Sequence, residues 1–445
     1  MVFIIIQIGK CLKFYFAVIL SMLELNKESI VLKTKERLEY SQLLDEFLLG
    51  CKTEQRIGME YERIPVSHYG KNVVPYDGEF GICELLREFA KIDNWDYILD
   101  GDSIIGLKKL HETITLEPGC QIELSLEPQI FIKDLKKRIE EIDSALAPIL
   151  EDFDIKLLNV GVSPKTTYKN IKLLPKQRYH LMANYLWGIL SDVMMRETAG
   201  IQVGIDFKSE EDAMRKFRLA NLMMPFATAM FANSKIRGGV DTGYKSFRAL
   251  AWLNTDNERC GFATDFNKNM CFKDYVAKLL ETPMIFINRD DKMIGINGKM
   301  TFKQYMEKGF EEFLPTIEDW KLHSNLYFPE VRLRNFIEIR NHDCVGNGLE
   351  YSVPALYKGI MYSASAMEET EEILNKYTTN EIKELRYNVA KYALNSKIEK
   401  KQILPICKEF AEIAYYTLKT EGEGEEEFIL PLIELLKEGK CPADI

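Results

Sequence analysis

The feature that most constrains this chain is a set of short segments in which polar and apolar residues strictly alternate, with glutamate where ordinary strand faces carry Thr, Ser or Lys. In Gly58–Glu62 (GMEYE), Glu60 and Glu62 are two residues apart and share one face, while Met59 and Tyr61 take the other. In Leu116–Glu127, Ile122, Leu124 and Leu126 oppose Gln121, Glu123, Ser125 and Glu127. Gln202 and Asp206 share a face in Gly200–Asp206, and so do Glu338 and Arg340 in Phe336–Arg340. A period of two is the signature of strands with one buried face.

Alternation alone commonly means a sheet with one side in water. Here the outward set is rich in glutamate, and like charges on neighbouring strands repel. A sheet face crowded with carboxylates is costly unless cations neutralise it. Mg²⁺ suits the role: it takes oxygen ligands and is commonly shared between carboxylates and substrate phosphates. The pattern therefore points to a metal–nucleotide site on a sheet face. The chain has no G-x-x-x-x-G-K-[ST] and no strand-linked G-x-G-x-x-G, so no P-loop or Rossmann turn would hold the nucleotide.

The remaining segments fill in an α+β pattern. One or two helices are expected over 28–56, a strand over Arg56–Val66 ending at Pro65, and a helix over 79–92. Short strands run from Trp95 to Glu127, broken by Asp100-Gly101 and Pro118-Gly119 turns. Helices follow at 131–152, 178–195, 209–233, 273–281 and 301–308, with strands at Asn159–Ser163, Ala199–Phe207 and Val331–Arg340. From about residue 350 the period is almost wholly helical. Regular βαβ alternation is absent, which favours a mixed, largely antiparallel fold.

Charge and cysteine usage narrow the partners. Lys and Arg number 58 against 68 Asp and Glu, a net charge of −10 with no basic stripe, so no nucleic-acid partner is expected. Nine scattered cysteines without C-x-x-C suit a reduced, cytoplasmic protein. Val2–Leu23 is apolar but interrupted by Lys10 and Lys13, which suits neither a membrane helix nor a signal peptide. Met1–Ser21 is expected to be a non-native or disordered extension, with Met22 the natural start; a peripheral anchor is the other reading. No stable membrane association is expected.

With these segments in hand, the chain resembles the glutamate–cysteine ligases of the plant and proteobacterial type, a group that includes the ligase opening ergothioneine synthesis. The resemblance rests on GMEYE (58–62), LEPGCQIELS (116–125), MMRETAGIQVGIDF (194–207), RKFRLANLMMPFATAMFANS (215–234), GYKSFRALAWLNTDNERCG (243–261) and FPEVRLRNFIEIRNHD (328–343), in the family's order. It implies a glutamine-synthetase-like fold, a curved antiparallel sheet funnel flanked by helices. The catalytic domain would span 22–360, and a helical C-terminal region, 361–445, would pack on it. The implied reaction joins L-glutamate to L-cysteine with ATP, through a γ-glutamyl phosphate, in a monomer or homodimer. An acceptor other than cysteine, or a catalytically silent relative, are the alternatives.

The resemblance also implies roles. Glu60, Glu62, Glu117, Glu123 and Glu338 would hold two or three Mg²⁺ ions, with Mn²⁺ possible in their place. Glu338 and Arg340 would act at the transferring phosphoryl group. Arg248 and Trp252 would bind glutamate, with Gln202 and Thr198 lining the same bowl. Two departures stand out. The family's Gly-Gly turn is Gly119-Cys120 here, and Cys does not readily take φ > 0. Residues 272–343 contain no Cys, so the plant enzymes' redox hairpin is not expected.

Overall fold

The computed structural model describes residues 38–445, apart from 263–265, 267 and 268. The expected extension Met1–Ser21 lies outside the described residues. The alternating segments pair into one nine-stranded sheet. Its strands are β1 (Ile57–Ser67), β2 (Asp96–Asp100), β3 (Ser103–Lys109), β4 (Glu112–Leu116), β5 (Ile122–Ser125), β6 (Ile155–Leu158), β7 (Gly200–Ile205), β8 (Val331–Leu333) and β9 (Ile337–Asp343). The order is β8-β9-β7-β1-β5-β4-β3-β2, with β6 on the far end of β1, and every pairing is antiparallel.

Register sorts the two faces. Glu60 stands opposite Gln202 and Ser125, Glu62 opposite Glu123, and Gly58 opposite Gly204. Glu338 stands opposite Gly204 on one side and Arg332 on the other. The reverse face carries Met59, Tyr61, Ile122, Leu124, Ile201, Val203, Ile205, Ile337 and Ile339, all buried. Two helices cover it, α1 (Glu210–Met230) and, later in the chain, Leu349–Met361. Ser209 starts α1 by accepting the Asp212 amide on its hydroxyl, and three acidic residues in the first turn suit the helix dipole. The chain beyond 361 is largely helical, and no described helix is long and apolar enough to cross a membrane.

Several local expectations change. Val331–Arg340 is not one strand but a hairpin, β8 and β9, turning at 334–336. The helix expected over 178–195 is two, Gln177–Tyr185 and Ser191–Glu197, separated at Gly188. A Cβ there would lie 2.2 Å from the Asn254 and Thr255 carbonyl oxygens, so the close approach needs glycine and ends the helix. Asn159–Ser163 holds only an isolated bridge at Val162; the strand is β6, just before it. β1 runs through Pro65, whose missing N–H does not stop its pairing with Leu157.

Candidate active site

The polar face of the sheet floors a cavity of about 340 Å³. Its walls bring together Glu60, Glu62, Glu117, Glu123, Gln202, Thr198, Arg248, Trp252 and Arg340. Every residue singled out from the sequence therefore lines it except Glu338, which lies buried against its arginines and lines an adjoining slot. The carboxylates stand on β1, β5 and the turn before β5, and the largest arginine group, Arg332, Arg334 and Arg340, on the β8–β9 hairpin.

On the carboxylate side, Glu62 is the most tied down. The Gly200 N–H donates to its Oε2 (2.6 Å) and Gln202 Nε2 to its Oε1 (2.9 Å). Glu123 accepts from Thr115 Oγ1 (2.8 Å) and Ser125 Oγ (3.3 Å), and Tyr179 Oη donates to Glu117 (3.3 Å). Burial, then the Glu338 charge, pushes Glu60 up to about 7. Burial, then Glu60, Glu117 and Glu62, holds Glu123 well above the usual carboxylate range, and burial likewise raises Glu62. Carboxyl groups raised by burial, and at Glu123 by neighbouring carboxylates, mark buried negative charge that the protein does not fully neutralise. The donor set is all oxygen, the chemistry of Mg²⁺ or Mn²⁺. Among the described residues, no three carboxylate, histidine or cysteine groups stand close enough to hold an ion as they are.

On the arginine side, Glu338 accepts four hydrogen bonds. Arg332 binds it through Nε (2.7 Å) and Nη2 (3.0 Å), Arg334 through Nη1 (3.2 Å) and Arg340 through Nη1 (2.9 Å). Burial opposes its charge, but Arg332, Arg340 and Arg334 outweigh that and hold its carboxyl far below the ordinary range. One carboxylate among three guanidiniums leaves net positive charge facing the cavity. Arg340 also donates to Gln202, so Gln202 bridges the two sides. The register shift between Ile339 and His342 lies beside Arg340, the kind of bulge that re-aims a side chain at a site.

Arg248 and Trp252 sit on a short helix, α2 (Phe247–Leu253). Its guanidinium is pressed over Gly200, where a Cβ would come within 2.5 Å of Nη2, and Nη2 donates to the Arg340 carbonyl (3.0 Å). Its Nε is buried without a partner. The guanidinium carbons of Arg248 and Arg340 lie 5.9 and 5.7 Å from the Trp252 ring centroid. The Thr198 hydroxyl, by contrast, is turned back on the Met194 carbonyl (2.6 Å). The turn leading into β5 is tight: Cys120 adopts φ 67°, and a Cβ on Gly119 would lie 2.2 Å from the Arg196 carbonyl oxygen. The position where glycine is usual thus does demand a left-handed backbone, and Cys120 accepts the strain.

Sequence reasoning passed over Arg332, Arg334, Lys176, Arg178 and Tyr179, which also line the cavity. The first two were visible as R-x-R alternation, but only the hairpin sets them against Glu338. It also passed over the slot of about 100 Å³ that meets the cavity at Glu60 and Gln202. Gly58, Gly204, Pro128, Leu126, Val203 and Phe336 give that slot apolar walls. A larger cavity, about 740 Å³, lies between the C-terminal helices; it is lined by glutamates with a single lysine and has no opposing arginine cluster.

Comparison with known proteins fits this arrangement. A model of glutamate–cysteine ligase family 2 matches residues 56–445. The chain is 34% identical over 420 residues to a chloroplastic glutamate–cysteine ligase of Medicago truncatula, covering 92% of this chain and 81% of that one. The corresponding Arabidopsis thaliana protein is 33% identical, covering 92% and 79%. Among solved structures, a glutamate–cysteine ligase from Francisella tularensis in complex with AMP superposes with a TM-score of 0.55 at 13% identity, over 88% of this chain and 84% of that one. At that identity the likeness concerns the fold.

Proposed function

The chain belongs to glutamate–cysteine ligase family 2, and from that premise we propose that its cavity joins the γ-carboxylate of L-glutamate to the amine of L-cysteine using ATP. The observation that carries this reading is the pairing, in one cavity, of a carboxylate wall with an arginine wall. The first recruits cations and the second anions, as phosphoryl transfer requires.

The order of residues along the strands suggests how the substrates lie. The apolar slot at Gly58, Gly204 and Phe336 suits the nucleotide base. The phosphates would then pass between Glu60 and Arg332, Arg334 and Arg340. Glutamate would occupy the far end, at Glu62, Arg248, Gln202, Thr198 and Trp252. Arg248, whose side chain lines the cavity, would meet the α-carboxylate.

Glu60, Glu62, Glu117 and Glu123 would hold Mg²⁺ or Mn²⁺; Glu338 would join them only by releasing Arg334, its longest contact. When bound, such ions clamp the phosphates and neutralise their charge. The arginines hold the transferring phosphoryl group while a γ-carboxylate oxygen of glutamate attacks its phosphorus and the bond to ADP breaks. Arg340 is aimed where negative charge grows. The cysteine amine then attacks the acyl carbon, the bond to phosphate breaks, and the amine proton is lost.

The same reading takes 22–360 as the catalytic domain, with 361–445 packed on it. A reducing, cytoplasmic setting suits the eight described cysteines, which are unpaired; the relatives named above are called chloroplastic. The test is ADP release by the purified chain with Mg-ATP and glutamate across a panel of amines. ADP formation that needs glutamate, is fastest with cysteine, and yields γ-glutamylcysteine by mass is the expected result. Glutamate-independent ATP hydrolysis, or no turnover with any amine, would overturn it.

A further inference from the structure

Asp343, at the end of β9, is buried, 1% exposed, and stands outside the cavity lining. Its carboxylate nevertheless gathers three donors. Oδ2 accepts from the Asn233 N–H (2.7 Å) and Ser234 Oγ (2.6 Å), and Oδ1 from Ser246 Oγ (2.8 Å). Each of the two serines then accepts from the start of α2. Ser246 is its N-cap and takes the Ala249 N–H (3.1 Å); Ser234 Oγ takes the Arg248 N–H (3.1 Å). The chain passes close to the carboxylate at Gly161, where a Cβ would lie 2.5 Å from its Cγ.

Arg248 is thus held at both ends by the strand that carries Glu338 and Arg340. Its guanidinium donates to the Arg340 carbonyl, and its backbone is tied through Ser234 to Asp343 three residues further on. A buried carboxylate is a costly way to join a loop to a strand, since uncharged side chains would fill the same space. What it adds is a rigid fork with two oxygens that serve two hydroxyls at once.

We infer that Asp343 is a positioning residue for glutamate binding, locking α2 so that Arg248 meets the α-carboxylate at a fixed distance from the arginines that handle the phosphoryl group. This rests on the reading of Arg248 as the α-carboxylate clamp. Asp343 lines no part of the cavity; it acts through Ser234 and Ser246, and its charge also supports the Arg248 guanidinium. A fork displaced by a fraction of an ångström loses the second of its two parallel hydrogen bonds. A charge-assisted bond corresponds to about ten- to a hundredfold in affinity.

The experiment is steady-state kinetics on the full chain for Asp343→Asn, Ser246→Ala and Ser234→Ala, with Arg248→Lys alongside. Asp343→Asn should raise the glutamate KM about tenfold or more, and each serine variant about three- to tenfold, with the KM for Mg-ATP and kcat within twofold. A merely structural role would lower the melting temperature and move all three constants together, and that pattern would overturn the inference. Should Asp343→Asn fail to fold, the serine variants decide, because each removes one hydroxyl and leaves the carboxylate in place. If Arg248→Lys raises the glutamate KM and these variants do not, the positioning role alone falls. If Arg248→Lys leaves that KM unchanged, the placement of glutamate falls with it.

Discussion

The two walls of the cavity are built from the same sheet and treat charge in opposite ways. On β1 and β5, burial raises the pKa of Glu60, Glu62 and Glu123, and Glu123 is raised further by the charges of Glu60, Glu117 and Glu62. One strand beyond β7, Glu338 is surrounded by three arginines and held ionised. Arg340 feels the charges of Glu60 and Glu62, but its ion pair is with Glu338. A negative wall is left facing a positive one. A cation on the first and a phosphate on the second would satisfy both, and a metal–nucleotide complex brings both at once. On the proposed reading, the two walls answer the ligand's charges, while Glu338 is the one carboxylate that the protein's own arginines neutralise.

Removing the cation that the carboxylate wall would take should have the largest effect. Turnover should fall at least about a hundredfold after exhaustive EDTA treatment and return when Mg²⁺ is restored. Undiminished turnover in metal-free buffer would remove the reason for the wall. On the opposite wall, Arg340→Lys should cut kcat by about a hundredfold with little change in either KM. An ammonium cannot reproduce the planar fork, and the charge it faces develops in the transition state. A large change in KM with kcat intact would mean that Arg340 serves ground-state binding.

Much of this division was legible in the residues. Period-2 alternation correctly assigned Glu60, Glu62, Glu123, Gln202, Glu338 and Arg340 to one face, because a strand's side chains have no other choice. What alternation does not contain is register. It could not set Arg332 against Glu338, since Val331–Arg340 is continuous in pattern and the turn at 334–336 carries no glycine or proline. Nor could it pair Gly58 with Gly204, 146 positions apart in the chain, to open the apolar slot. The helix break at Gly188 and the gathering of Ser234 and Ser246 on Asp343 are likewise contacts between distant segments, for which a local period has no signal.

The slot offers a narrower test. The Cβ of a residue at 58 would meet only Pro128 at 3.6 Å and Gly204 at 3.7 Å, ordinary contact distances, so Gly58→Val should fold. Its added methyls would project into the slot of about 100 Å³. The KM for ATP should rise about tenfold, the glutamate KM staying within twofold, because overfilling a packed space typically costs about 1–3 kcal/mol. Equal changes in both would place the base elsewhere.

The smallest effect distinguishes the walls by sign. Glu60 is raised from 4.5 to about 7, so the folded protein holds that proton more tightly than the unfolded chain. Its contribution favours folding at low pH and is lost as pH rises from about 4.5 through 7, a swing on the order of 3 kcal/mol. Glu338 is lowered, so its contribution is present above the ordinary carboxylate pKa and lost on acidification. The walls therefore pull in opposite directions with pH, and only the first should respond to metal. In metal-free buffer, Glu60→Gln should raise the melting temperature more at pH 7.5 than at pH 5.5. Adding Mg²⁺ to the unsubstituted chain should do the same, because the ion binds the ionised wall and relieves the repulsion that the proton otherwise relieves. Chemical or thermal melts at the two pH values read this directly. If Mg²⁺ stabilised the chain equally at both, the buried charge of Glu60 would not be what the cation answers.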